Sequence, residues 1–425
     1  MAKLHVKPSG LRGSLSVPSS KSHTLRAILF AALAKGVSVI DHVLPSPDTQ
    51  AMCDAVELLG AEVNKEAYRL TVRGCSGKPQ IPDNVIQCGN SGLVLRLIGA
   101  IAGLIPQYTI LTGDVSIRHH RPISPLLDAL QQLGAVGLSS RGDGHAPIMI
   151  KGPFIHGKAT LDGQDSQPVS GLLIAGAFSP HPIELHVRNP GEKPWIDLTL
   201  SWFKRLGIPY LAKEHSYYRL EGNASIEGFE YSVPGDFSSA AFPMAAALLT
   251  SSPLTLHNLD MDDLQGDKAV IFVLQQMGAQ FSFEKNSLKV ETASSLQGRR
   301  IDINDFIDAL PILAVIGCFA QSPTELIGGA IARKKESDRI CSIAVELRKM
   351  GANIEERPDG LMIYPSTLHG AELSAYQDHR IALSLAVAAM AATSPSTISG
   401  IECISKTYPH FYEDFKAVGA KLELC

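Results

Sequence analysis

Two kinds of helical run alternate along this chain. The first kind is apolar nearly all the way round and covers residues 25–34, 92–103, 168–177, 239–249, 309–320 and 380–392. A run without a polar face predicts a helix buried on every side. The second kind is amphipathic, as in 48–59, where Met52, Val56 and Leu59 recur at helical spacing. Its counterparts are 125–133, 196–206, 268–277, 341–350 and 411–418. Each amphipathic run closes on a glycine corner, at Gly60, Gly134, Gly207, Gly278, Gly351 and Gly419, and a strand follows. The starts of the buried runs, near Lys21, Ser91, Gln167, Ser238, Asp308 and His379, recur every 70 to 76 residues. Such regularity predicts one supersecondary unit of about 70 residues, repeated six times.

The first unit supplies the grammar. Ser20, Lys21 and Ser22 mark a helix start, Gly36 ends the buried helix, and 37–40 reads as a strand. After the amphipathic helix, strands 61–64 and 68–72 close the unit. With a strand leading in, the order is βαβαββ. This predicts an α/β fold with the apolar helices inside and the sheets and amphipathic helices around them. No Pro/Ser-rich linker divides the chain, so the domain joint is expected as a direct crossing at 17–19 and 231–235. That gives an N-terminal three-unit domain over 19–232 and a C-terminal one from 1–18 plus 233–425.

Composition narrows the class. Apolar residues make up 45% and charged ones 19%, an ordinary balance for a chain with a large core. The net charge of −4 comes without a Lys/Arg block, which argues against nucleic acid as a partner. The seven cysteines are scattered and form no CxxC pair, which argues against disulfides or a zinc knuckle and fits a reducing compartment. The opening residues 1–6 lack a signal-peptide core, and no apolar run reaches the roughly 20 residues that a bilayer takes. The expectation is a cytoplasmic protein, or a plastid one in mature form, without membrane, metal or cofactor. Phosphate-loop, dinucleotide, zinc-protease and serine-hydrolase motifs are all missing. His119-His120 reads as loop polarity on an extended segment that turns the two rings apart.

The chemistry gathers at the starts of the buried helices. These open with Ser20-Lys21-Ser22, Asn90-Ser91-Gly92, Asp165-Ser166-Gln167, Asp236-Phe237-Ser238-Ser239, Asp308 and Asp378-His379-Arg380. A helix start carries about half a positive charge and unpaired N–H donors. If three converge in each domain, a cleft between the domains attracts anions. Capping alone explains the serines, asparagine and aspartates. It does not explain Lys21, Arg26, Arg96, Arg118, Arg121, Lys335, Arg339, Arg380 and Lys406, which sit at or within a turn of helix starts, or in Gly/Pro-marked loops. Arg26 and Arg96, a turn inside apolar helices, would be costly to bury without an anionic ligand or a carboxylate partner. Residues 332–339 form the densest charged stretch, which alone could equally be a solvated helix start.

Several stretches carry a family resemblance in their joint order and spacing. They are Pro18-Ser19-Ser20-Lys21-Ser22 with Arg26, Gly89-Asn90-Ser91-Gly92 with Arg96, Arg121-Pro122, Lys193-Pro194-Trp195-Ile196-Asp197, and Gly235-Asp236 with Ser238-Ser239. Lys335-Glu336-Ser337-Asp338-Arg339, Asp378-His379-Arg380 and Lys406-Thr407-Tyr408-Pro409 complete the set. Over essentially its full length the chain resembles the 5-enolpyruvylshikimate-3-phosphate (EPSP) synthases. The resemblance implies an inside-out α/β barrel in two domains that closes over shikimate 3-phosphate and phosphoenolpyruvate. It implies Asp308 as the base for the acceptor hydroxyl, Glu336 as the proton donor to the methylene carbon, and Lys21 as a bridge that serves the leaving phosphate. Lys21, Ser22, Arg26, Ser166, Gln167, Asp308 and Lys335 would hold shikimate 3-phosphate. Lys21, Gly92, Arg121, Gln167, Arg339, Arg380 and Lys406 would hold phosphoenolpyruvate.

The chain departs from that family in places. Leu93 stands where threonine is usual, Asp165 and Glu192 where serine is, and Trp195 where tyrosine is common. Leu93 would add bulk where the inhibitor glyphosate competes with phosphoenolpyruvate. Asp165 brings negative charge toward a phosphate site and could pair with an arginine instead. The sister family that uses UDP-N-acetylglucosamine has Lys-Asn at the first helix start and a loop cysteine. This chain has Lys21-Ser22 there and no cysteine in 112–121. A non-catalytic anion-binding repeat scaffold is the other alternative, though it gains nothing from carboxylates such as Asp308 and Glu336 beside the cations. A monomer is the expected state.

Overall fold

A computed structural model describes residues 2–291 and 295–425. The described residues form six four-stranded sheets with one shared connectivity. In the sheet of Ile86–Gln87, Thr109–Thr112, Ile148–Lys151 and Val136–Ser139, the first pair is parallel and the other two pairs are antiparallel. The remaining sheets repeat that pattern, but three borrow a strand from far along the chain. Glu230–Ser232 leads the sheet of Val37–Asp41, and Gly13–Ser16 leads that of Leu254–His257. Lys3–Lys7 lies between Ser396–Ser399 and Lys421–Leu424. The repeat is thus circular: the leading strand of one unit can come from the end of another.

The chain packs as two compact units, Ser20–Val233 on one side and Met1–Ser19 with Pro234–Cys425 on the other. Each has its own hydrophobic core. In the second unit the helices Phe237–Leu249, Leu310–Phe319 and His379–Ala391 pack on one another, and each is backed by strands of its own sheet. In Ser20–Val233 the corresponding helices are Lys21–Leu33, Gly92–Ala102 and Ser166–Ala177. The last two approach so closely that a Cβ on Gly171 would lie 2.7 Å from the Arg96 carbonyl oxygen. The amphipathic helices, among them Pro47–Leu58 and Arg339–Lys349, bury one face against these layers.

Local chemistry accounts for the boundaries. All six corner glycines have positive φ, from 69° to 107°, where an L side chain is strained and glycine is not. The amphipathic runs therefore stop within a residue or two of where their pattern stops. One expectation fails. Val115–His119 forms a short helix capped by Asp114, so His119 is helical and not on an extended segment. Among the described residues no group of His, Cys, Asp or Glu could hold a metal ion, and no helix is long and apolar enough to cross a membrane.

Candidate active site

Five of the six central helices begin under a side-chain cap. Ser20, Ser91, Asp165, Asp236 and Asp378 each accept a hydrogen bond from a backbone N–H of the first turn. The sixth, Leu310–Phe319, has no such cap. A 3-10 segment, Asn304–Ala309, leads into it with Phe306 out of helical geometry at φ −146°, and Pro311 lies in its first turn and carries no N–H. Asp308 is thereby released from capping. Its carboxylate reaches sideways, accepting from Arg339 Nη1 at 2.6 Å and from Arg380 Nη2 at 3.1 Å.

Arg339 is the hub of this unit, with its side chain 1% exposed. Besides Asp308, its Nη2 donates to Glu336 at 2.8 Å and its Nε to Asp378 at 2.8 Å. Glu336 also accepts from Lys406 Nζ at 2.7 Å, and Asp378 from the Ser337 hydroxyl at 3.1 Å. Burial alone would lower the pKa of Arg339, but Asp378, Glu336 and Asp308 outweigh it and hold it well above its ordinary value. At the other end Arg380 donates to the Ser238 hydroxyl at 2.5 Å, and Ser238 in turn donates to Asp236. A continuous chain of donors and acceptors therefore runs from Asp236 through Arg380, Asp308, Arg339 and Glu336 to Lys406. The Nε and Nη1 atoms of Arg380 are buried and have no hydrogen-bond partner among the described residues. A buried guanidinium with two donors to spare is suited to an anion.

The unit Ser20–Val233 arranges its cations differently. Arg26 donates to the Thr199 hydroxyl at 3.0 Å and to the carbonyls of Ser22 and Trp195 at 3.2 and 3.1 Å. Burial lowers it to about 10. Arg96 donates to the carbonyls of Gly92 and Pro122 and pairs with Asp165 at 3.0 Å. Arg121 reaches the carbonyl and side-chain oxygens of Asn90. Gly92 lies against both: a Cβ there would come within 2.7 Å of Arg121 Nη1 and 2.9 Å of Arg96 Nη1. Lys21 Nζ is 3.7 Å from Asp48, a buried carboxylate that also accepts from Ser91 Oγ at 2.9 Å.

A family model of EPSP synthase (3-phosphoshikimate 1-carboxyvinyltransferase) matches residues 6–415. The chain belongs to the EPSP synthase family. It is 43% identical over 425 residues to the 3-phosphoshikimate 1-carboxyvinyltransferase of Chlamydia caviae, covering all of this chain and 95% of that one. To the Ruminiclostridium cellulolyticum enzyme of that name it is 42% identical, covering 99% of each. An EPSP synthase structure from Acinetobacter baumannii superposes with a TM-score of 0.84 at 26% identity, covering both chains completely. An enolpyruvyl transferase, NikO from Streptomyces tendae, shares the fold with a TM-score of 0.77 at 18% identity.

For an EPSP synthase family member, two departures from the family pattern now have partners. Asp165 caps Gln167 N–H and pairs with Arg96, as the charge pattern allowed. Glu192 is buried and accepts from both the N–H and the hydroxyl of Ser166, at 3.1 and 3.3 Å. Arg96 thus meets the expectation of a carboxylate partner, whereas Arg26 is held by neutral oxygens instead. Those oxygens satisfy the fork without cancelling its charge. Asp308, Glu336, Arg339, Arg380 and Lys406 come together in one unit. Gly92 and Arg121 meet in the other, where Lys21, Ser22 and Arg26 share the first turns of one helix, and Ser166 and Gln167 open another. Lys335 is half-buried at the end of the 3-10 segment Ala330–Lys334. Sequence reasoning missed Asp378 as more than a cap, Asp48 as more than a helix opener, and Thr199. Only Asp48 left a trace: an acid on the buried side of its helix.

Proposed function

We propose that this chain transfers the enolpyruvyl group of phosphoenolpyruvate to the 5-hydroxyl of shikimate 3-phosphate and releases phosphate, with each unit an inside-out α/β barrel. The observation that carries the site assignment is the pair Asp308 and Glu336 on a single buried guanidinium, 2.6 and 2.8 Å from its nitrogens. The acceptor oxygen bonds to C2 of phosphoenolpyruvate while C3 takes a proton. The resulting tetrahedral ketal phosphate then breaks its C2–O bond to phosphate while one proton of the C3 methyl returns to Glu336, restoring the double bond. Asp308 accepts the hydroxyl proton, and Glu336 delivers one to C3. Arg339 holds both carboxylates in place, so neither role depends on a freely rotating side chain.

The anions are held by cationic and hydrogen-bonding groups at or near the helix starts. Lys21, Ser22, Arg26, Ser166, Gln167, Asp308 and Lys335 take shikimate 3-phosphate. Lys21, Gly92, Arg121, Gln167, Arg339, Arg380 and Lys406 take phosphoenolpyruvate, and Lys21 steadies the departing phosphate. The spare Nε and Nη1 donors of Arg380 support this reading, as does the close backbone approach that Gly92 permits. The chemistry calls for no cofactor. The test is phosphate release with both substrates and with each omitted. Release that requires both is expected. No release, or equal release when UDP-N-acetylglucosamine replaces shikimate 3-phosphate, would overturn the proposal.

A further inference from the structure

Away from these groups, on the same helix as Arg339, lies a carboxylate that the reaction does not use. Glu346 is seven residues beyond Arg339 in Arg339–Lys349, two turns along one face and about 10 Å down the axis. It is fully buried, yet it is matched by donors on every side. Lys349 Nζ contacts both of its oxygens at 2.8 and 2.9 Å. Ser374 N–H donates to it at 3.0 Å and the Tyr376 hydroxyl at 2.8 Å. Burial, with Glu346 alongside, pushes that hydroxyl up to about 12, so it remains a donor at neutral pH.

The segment it grips is unusual. Tyr376 and Gln377 stand at φ 50° and 56°, two consecutive non-glycine residues in left-handed geometry. Such backbone persists only where its surroundings impose it. The next residue is Asp378, which caps His379–Ala391 through the Arg380 N–H at 2.9 Å and takes Arg339 Nε at 2.8 Å. The two left-handed residues thus set the path by which Asp378 and Arg380 are delivered. Glu346 fastens that path from one side, through Ser374 and Tyr376.

We propose that Glu346 is a positioning residue for phosphoenolpyruvate: by fixing the 374–377 turn to the helix that carries Arg339, it sets the placement of Arg380 relative to Arg339. The proposal rests on the assignment of those two arginines to phosphoenolpyruvate. Replacing Glu346 with glutamine keeps the volume but turns an amide NH2 toward donors. Steady-state kinetics of Glu346→Gln should show KM for phosphoenolpyruvate raised about tenfold, a smaller fall in kcat, and KM for shikimate 3-phosphate within about twofold of wild type. Tyr376→Phe, at an exposed position, should raise the same KM two- to threefold, and the double variant should add nothing to Glu346→Gln. A purely structural role predicts a lowered melting temperature with both KM values unchanged, and that result would overturn the proposal. So would an unchanged KM in Tyr376→Phe, should the glutamine variant not fold. Arg380→Ala separates the two levels. If it leaves KM for phosphoenolpyruvate unaltered, the site assignment itself fails; if it raises that KM while Glu346→Gln does not, only the positioning role fails.

Discussion

Arg26 and Arg339, one in each unit, are held by opposite means. In Ser20–Val233, Arg26 rests on a hydroxyl and two carbonyls, although Arg96 of the same unit pairs with Asp165. In the other unit Arg339 faces three carboxylates, and Arg380 shares one of them. Neutral oxygens orient a guanidinium without cancelling its charge, so its field remains available to an incoming anion. Carboxylates cancel that field but supply groups that can take up or give a proton. The contrast between these two arginines teaches a division of labour: Arg26 is suited to attract an anion, and the cluster around Arg339 to exchange protons.

The sharpest way to break that contrast is Asp308→Asn. With the proposed base removed and the shape retained, kcat should fall about 10²- to 10⁴-fold. A loss below tenfold in single-turnover phosphate release would place the base elsewhere. Next in size is a paired comparison of stability. Arg339→Met leaves Asp308, Glu336 and Asp378 without their common cation and should cost about 3–5 kcal/mol in urea unfolding. Arg26→Met loses hydrogen bonds to neutral oxygens only and should cost about 1–3 kcal/mol. Equal losses would mean that the two modes of holding arginine are energetically alike.

A smaller effect is expected at the start of Ser166–Ala177. Glu192 there occupies donors of Ser166 and adds negative charge beside a proposed phosphate contact. Glu192→Ser should lower KM for shikimate 3-phosphate about tenfold, near 1.4 kcal/mol at one screened contact. A raised KM would show that the acid assists binding. Smallest is Leu93→Thr, which restores a hydroxyl next to Gly92. It should increase inhibition by glyphosate severalfold, in keeping with the modest worth of one added polar contact in a pocket. Titrations that overlay wild type would remove Leu93 from the account.

The difference between the units also explains what could be read from the chain alone. Helices, corners and unit order follow from periodicity and from glycine chemistry, which are local, and each apolar run became a buried helix. Arg96 and Asp165 were legible as unlike charges awaiting partners. Asp308 was legible as an acid at a helix start, but not as an acid excused from capping, because that depends on the kink at Phe306 and on Pro311. Asp378 looked like an ordinary cap, since nothing local reveals that Arg339, 39 positions earlier, would meet it. Arg26 was expected to need an anionic ligand or a carboxylate partner, and Thr199, 173 residues away in sequence, was invisible as its hydroxyl partner.

The strand Lys3–Lys7 has a consequence for synthesis. It closes its sheet against Lys421–Leu424, and Lys7 meets Glu423 across 416 positions of chain. Every strand in the sheets of Ser20–Val233 lies within that stretch itself. On a ribosome, where earlier segments emerge first, the half bearing Arg26 can finish its core while the half bearing Asp308 still waits for its last strand. Asp308 and Glu336 are therefore brought together last, in a step delayed by the long loop that must first be closed.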